Sequence, residues 1–79
     1  MITLQYFTPQ DTAQISGSYV EVVSNKKTFS IYPHYQKSVF EIVNGSIAVY
    51  DGSKSTVFFK EQINGFCLVE DNTIICTIK

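Results

Sequence analysis

The stretch Phe40-Glu-Ile-Val-Asn44-Gly45-Ser-Ile-Ala-Val49 carries the strongest local signal in the chain. Two alternating apolar runs flank Asn44-Gly45, the dipeptide best suited to positive φ at both centres of a tight hairpin turn. A turn there sets Ile42 opposite Ile47 and Phe40 opposite Val49. Those four then share one face, with Glu41 and Ala48 on the other. The spacing predicts a β-hairpin, and the rest of the chain repeats its character.

A second hairpin closes the sequence. Asp71-Asn72 separates Gly65-Phe-Cys-Leu-Val-Glu70 from Thr73-Ile-Ile-Cys-Thr-Ile78. With Glu70 opposite Thr73, Val69 meets Ile74 and Cys67 meets Cys76. Further strands are expected at Ile2–Phe7, Tyr19–Ser24, Thr28–Tyr32 and near Thr56–Phe59, with a turn at Asp51-Gly52-Ser53-Lys54 and a break at Asn64-Gly65. Val, Ile, Thr, Tyr and Phe dominate, which suits a pleated, half-buried surface. No window sustains a helical apolar period. Turn signals recur about every eight to twelve residues, as in sandwiches and barrels. The expectation is an all-β fold: a small antiparallel two-sheet β-sandwich of about eight short strands, one domain over residues 1–79, without significant helix.

Composition narrows the function. The 79 residues are 44% hydrophobic and 16% charged, with a net charge of −1. Enough apolar residues are present for a core, which argues against disorder. A chain of this size buries only about 60% of its unfolded surface and gains from a partner. The six basic residues are all Lys, so the basic patch that duplex binders need is missing. Met1 to Gln10 has neither a basic n-region nor an apolar run, so no signal peptide is expected. No apolar run approaches the roughly 18 residues of a spanning helix.

Candidate chemistry is sparse. The 67–76 pair falls at a non-hydrogen-bonded site with Cα atoms about 4.5 Å apart, just compatible with a disulfide. Without an export signal the favoured reading is two buried thiols acting as small hydrophobes. One His and two Cys do not make the usual four-ligand zinc site. His34 lies in a loop without a nucleophile motif, and reads as an exposed or contact-surface residue. Glu41, Glu61, Glu70 and Asp71 show no acid–base pairing. Gly17, Gly45, Gly52 and Gly65 are isolated, so there is no phosphate loop. No catalytic residue, metal or cofactor is expected. Lys26-Lys27 reads as a solvated loop or a local basic contact. The last hairpin is apolar on both faces, with Phe66, Leu68 and Ile75 opposite the Cys67 face; a free antiparallel sheet normally shows water a polar face. That second face hints at docking.

The order of these motifs resembles the N-terminal β-sandwich domain of the ε subunit of F-type ATP synthases (δ in mitochondria). The resemblance runs through Leu4 to Pro9, Ser16-Gly-Ser-Tyr-Val-Glu-Val-Val23, Phe29-Ser-Ile-Tyr-Pro33, Ile42 to Val49, and Asn64-Gly-Phe-Cys-Leu-Val-Glu-Asp-Asn-Thr-Ile-Ile-Cys76. There are departures. The family's Gly-rich loop is shortened to Asn25-Lys26-Lys27-Thr28. Tyr35 takes the place of a family His, and His34 that of a Gly. The family's C-terminal helical hairpin has no counterpart among these residues, so neither inhibition nor nucleotide sensing is assigned to them.

The resemblance implies a non-catalytic rotor subunit that docks on the γ subunit and the c-ring and helps couple ion translocation to ATP synthesis. It implies γ contacts at Thr8, Pro9, Gln10, Tyr35 and Phe40, and c-ring contacts at Lys26, Lys27 and Thr28. It implies a peripheral position, with the cytoplasmic face of a bacterial inner membrane as the default and an organelle as the equivalent. Neither a nucleic-acid partner nor a small-molecule substrate is expected. The competing expectation is a stand-alone β-module that binds a peptide or single-stranded nucleic acid, on which aromatics could stack bases.

Overall fold

Period-two alternation and β-branched residues produce strands throughout. The computed structural model describes residues 1–52 and 55–79, and among them there is no helix. Seven strands follow in order: β1 (Ile2–Phe7), β2 (Thr12–Gly17), β3 (Tyr19–Ser24), β4 (Lys27–Ile31), β5 (Ser38–Asp51), β6 (Ser55–Glu70) and β7 (Thr73–Ile78). The all-β expectation is met. The strand count is seven where eight were expected, because β5 and β6 each join two expected segments, while β2 was not anticipated. Hydrogen bonds link every strand into one sheet in the order β2-β1-β7-β6-β5-β3-β4, where two separate sheets were expected. One pairing departs from the antiparallel expectation: β1 runs parallel to β7. These are the two ends of the chain, so no tight turn constrains their relative direction.

The Asn44-Gly45 hairpin does not form. Both residues lie inside the continuous β5, which pairs with β6 along its length, with register shifts between Ile42 and Ser46. Asn44 does take a positive φ of 47°, and Gln62 on β6 answers it at 57°. The two positions form a bulged bend in a long two-stranded ribbon. The bend also reverses the alternation between Ile42 and Ile47, as a hairpin turn would. Ile42, Ile47 and Val49 therefore all face the core, as expected, with Phe40 packed beside them. Gly45 is required by crowding. A Cβ there would collide with the Val23 carbonyl oxygen of the neighbouring strand.

The bend lets one sheet cover itself. Residues 38–42 of β5 pair with 65–69 of β6 beside β7, β1 and β2; residues 46–51 of β5 pair with 55–61 of β6 beside β3 and β4. The two halves meet across a shared core. Tyr6 packs edge-on against Phe58, and Phe29 stacks on Phe40, each with centroids 5.2 Å apart. Ile2, Leu4, Val20, Val22, Ile31, Val69 and Ile74 fill the interior and are fully buried. The Ser18 amide closes the seam by donating to the Tyr50 carbonyl at 2.7 Å.

The final hairpin matches its expected register. Glu70 pairs with Thr73, Val69 with Ile74 and Cys67 with Cys76. Asp71 and Asn72 take φ of 52° and 60°, the paired positive values of a type I′ turn. Cys67 and Cys76 are buried with Cα atoms 4.4 Å apart and are joined as a disulfide. This corrects the reading as free thiols: a non-hydrogen-bonded pairing brings the two Cα atoms within disulfide range. The expected break at Asn64-Gly65 is absent because β6 runs through it. Of the expected Asp51–Lys54 turn, Gly52 has φ of 59°; Ser53 and Lys54 lie outside the described residues.

Candidate partner-binding surfaces

Among the described residues no three His, Cys, Asp or Glu side chains gather as a metal site. A small hollow of about 210 Å³ lies between Tyr6, Thr8, Asp11 and Lys60. Burial raises the Tyr6 phenol above its ordinary value of 10.0. A phenol held neutral is a weak acid and a weaker base. The surfaces hold more information than the hollows.

Thr8, Pro9 and Gln10 form the β1–β2 turn. Thr8 Oγ1 accepts from the Asp11 amide at 2.9 Å and the Gln10 amide at 3.3 Å, and the Thr8 amide donates to the Asp11 carbonyl at 2.8 Å. Asp11 Oδ1 accepts from the Thr12 amide at 2.8 Å. The turn is thus self-bonded, with Pro9 and Gln10 exposed. Lys26, Lys27 and Thr28 are exposed where β3 turns into β4. Asn25 and Lys26 take φ of 50° and 69°, making this another tight turn. Tyr35 and Phe40 are half-buried against the core. Their rings support the fold and do not stand free beside the Thr8 turn. His34 is exposed, and its amide donates to Asn72 Oδ1 at 2.6 Å.

Sequence reasoning caught only part of the most exposed apolar surface. On the outer face of the first half, Val39 pairs with Leu68, and Leu68 pairs with Ile75, in one row across three strands. The next row holds Glu41, Phe66, Thr77 and Phe7. Val39 is 69% exposed and Phe66 50%, with Leu68 and Ile75 half-buried. Lys79 reaches over the Phe66 ring, 5.7 Å from its centroid. The two-faced apolar pattern of the last hairpin had flagged Phe66, Leu68 and Ile75. Val39 and Phe7 join them only through tertiary pairing.

The outer face of the second half is aromatic and acidic. Tyr32, Tyr19 and Tyr50 stack in a row across the sheet, with centroid spacings of 4.9 and 5.0 Å. The adjacent row holds Ser30, Glu21, Ala48 and Phe59, and the next includes Ser46 and Glu61. Burial raises the Tyr19 phenol above its ordinary value, with Tyr32, Glu21 and Tyr50 adding to the shift.

No protein-family model matches the sequence. No curated protein matches it either. Among solved structures, the fold is similar to a chain in the cryo-EM structure of the Tetrahymena thermophila mitochondrial ATP synthase central stalk and c-ring. The TM-score is 0.70 at 15% identity, and the match covers 98% of this chain and 62% of that one. The likeness lies in the fold, and the present chain spans less than two thirds of its neighbour's length.

Proposed function

We propose that the chain is a non-catalytic central-stalk (rotor) subunit of an F-type ATP synthase. The observation that carries this reading is the fold, which runs over nearly the whole chain like a component of a central stalk and c-ring structure. The outer face of the first half suggests how docking works. A row of Val39, Leu68 and Ile75, flanked by Phe66 and Phe7, offers apolar area to a protein partner. Aromatic and aliphatic residues of this kind form the centres of interfaces. We assign this face to the γ subunit, with the Thr8-Pro9-Gln10 turn continuing it beyond Phe7. Tyr35 and Phe40 back the sheet from its core side. The exposed Lys26-Lys27-Thr28 turn is assigned to the polar loops of the c-ring. Exposed charges of this sort contribute only about 0–1 kcal/mol each, so shape and apolar area dominate.

The mechanical role follows from construction. A rotor component must carry torque without shearing. A continuous sheet folded over a close-packed core, tied by a buried disulfide, is stiff in that sense. In this reading the chain is peripheral, held at the membrane through the complex; among the described residues no helix is long and apolar enough to cross a membrane. The test is co-purification of the tagged chain from its own cells. Recovery of α, β and γ subunits is expected. Their consistent absence, with ATP synthase assembly unaffected by deletion of the gene, overturns the reading.

A further inference from the structure

The tyrosine row on the second half lies outside the core cluster. It lies on the face turned away from the core, and Tyr32 at its end is 54% exposed. The rings are nearly parallel, with interplanar angles of 18° and 19°. Each ring therefore presents its faces along the row, and the outer face of Tyr32 is the open end of the stack. The cross-strand register puts Glu21 one row along from Tyr19, diagonal to Tyr32. Diagonal neighbours in a sheet lie about 7–8 Å apart, within reach of a long side chain. Asp51 follows Tyr50, and its carboxylate accepts a hydrogen bond from Ser18 Oγ at 3.4 Å. Glu61 lies on the same face as Glu21. Among the described residues, the carboxylates near the stack have no ion-pair partner; the one salt bridge there joins Lys37 to Glu70.

We infer that the open end of the Tyr32–Tyr19–Tyr50 stack, with Glu21 beside it, receives an arginine side chain from a protein partner. A guanidinium is planar. It can lie on Tyr32 as a further layer of the stack while its N–H groups point to a carboxylate. A lysine ammonium has the charge but not the plane. A nucleic-acid strand offers flat bases but brings phosphates toward Glu21, Asp51 and Glu61, and that repulsion disfavours it. None of residues 1–79 is an arginine, so the guanidinium comes from outside them. This surface is separate from the apolar face assigned to γ, and the inference does not depend on that assignment.

The test uses the purified 79-residue chain and fluorescently labelled hexa-arginine, read by anisotropy at low salt. Hexalysine and a single-stranded oligonucleotide are run beside it. Hexa-arginine is expected to bind more tightly than hexalysine, and the oligonucleotide to bind weakly or not at all. Tyr32→Leu keeps the bulk and the net charge but removes the ring, and is expected to weaken hexa-arginine binding by about tenfold. Tyr32→Phe should retain binding, and Glu21→Gln should weaken it several-fold. Val39→Ser, on the apolar face, should leave it unchanged while weakening recovery of γ in co-purification. The inference is overturned if hexa-arginine does not bind, if Tyr32→Leu binds it as the native chain does, if hexalysine binds equally well, or if the oligonucleotide is preferred. Circular dichroism of each variant separates lost binding from lost folding.

Discussion

Replacing Gly45 with Ala distinguishes a bulged strand from a hairpin turn. In a type I′ turn Gly45 would need a positive φ, and Ala would cost about 1 kcal/mol or slightly more. In the structure Gly45 does not take a positive φ. The added Cβ instead meets the Val23 carbonyl oxygen, and Ile42 Cγ2 at 2.7 Å. One obstacle is backbone and the other a fully buried side chain, so neither yields without moving β3 or the core. Overpacking of this kind costs about 1–3 kcal/mol and sometimes more; the rigid carbonyl places Gly45→Ala at about 3 kcal/mol. A chain of this length holds only about 4–12 kcal/mol in total. With a urea dependence of about 1 kcal/mol per molar, the midpoint should fall by about 3 M. Gly52→Ala is the control. Gly52 has a positive φ of 59° and open space around it, so the cost there is strain alone, about 1 kcal/mol. If Gly45→Ala unfolds within about 0.5 M of the native chain, or no earlier than Gly52→Ala, the close packing of β5 on β3 is wrong.

Three further outcomes follow from named contacts. The disulfide closes a sequence separation of 9 residues, so reductant should lower stability by about 2–3 kcal/mol; urea midpoints with and without dithiothreitol check this, and identical midpoints refute it. Ser24 Oγ donates to the Glu41 carbonyl and accepts from the Val43 amide, both at 2.9 Å. Ser24→Ala leaves both groups unpaired at the bend and should cost about 2 kcal/mol, read by thermal melting. Tyr6 and Tyr19 both have raised phenol values. The folded state therefore resists ionisation that the unfolded chain undergoes near 10. Their contribution is fully present below that pH and is lost as pH rises through the folded values. Stability should decline in alkali, and less steeply in Tyr6→Phe; a flat profile would contradict the burial of Tyr6.

The faces of the strands were more legible in the sequence than their connections. The step from Ile42 to Ile47 spans an odd number of residues, so a straight strand would put them on opposite faces. A two-residue hairpin repairs the phase, and so does a bulge. Local pattern does not separate the two; partners distant in sequence, such as Gly65 for Ile42, decide it. At Asp71-Asn72 the same logic succeeded, because no third strand competes for the turn. Strand β2 went unseen since Thr12-Ala-Gln-Ile-Ser-Gly17 has only Ala13 and Ile15 turned toward the core. An edge strand needs no stronger pattern. Register brought Cys67 to Cys76 from sequence alone, but the oxidation state was inferred from a missing export signal, a cue from outside the fold. The apolar outer face was half legible. Phe66, Leu68 and Ile75 belong to one hairpin, while Val39 and Phe7 reach it from remote segments.

The central claim is that this face lies against the stalk. A photo-crosslinking amino acid placed at Val39, the most exposed apolar residue of the sheet, tests it in intact cells, with a second chain labelled at Lys37 as the comparison. The account predicts a crosslink from Val39 to the γ subunit, identified by mass spectrometry. A Val39 probe that captures no ATP synthase subunit, in cells where the complex is assembled, would contradict it.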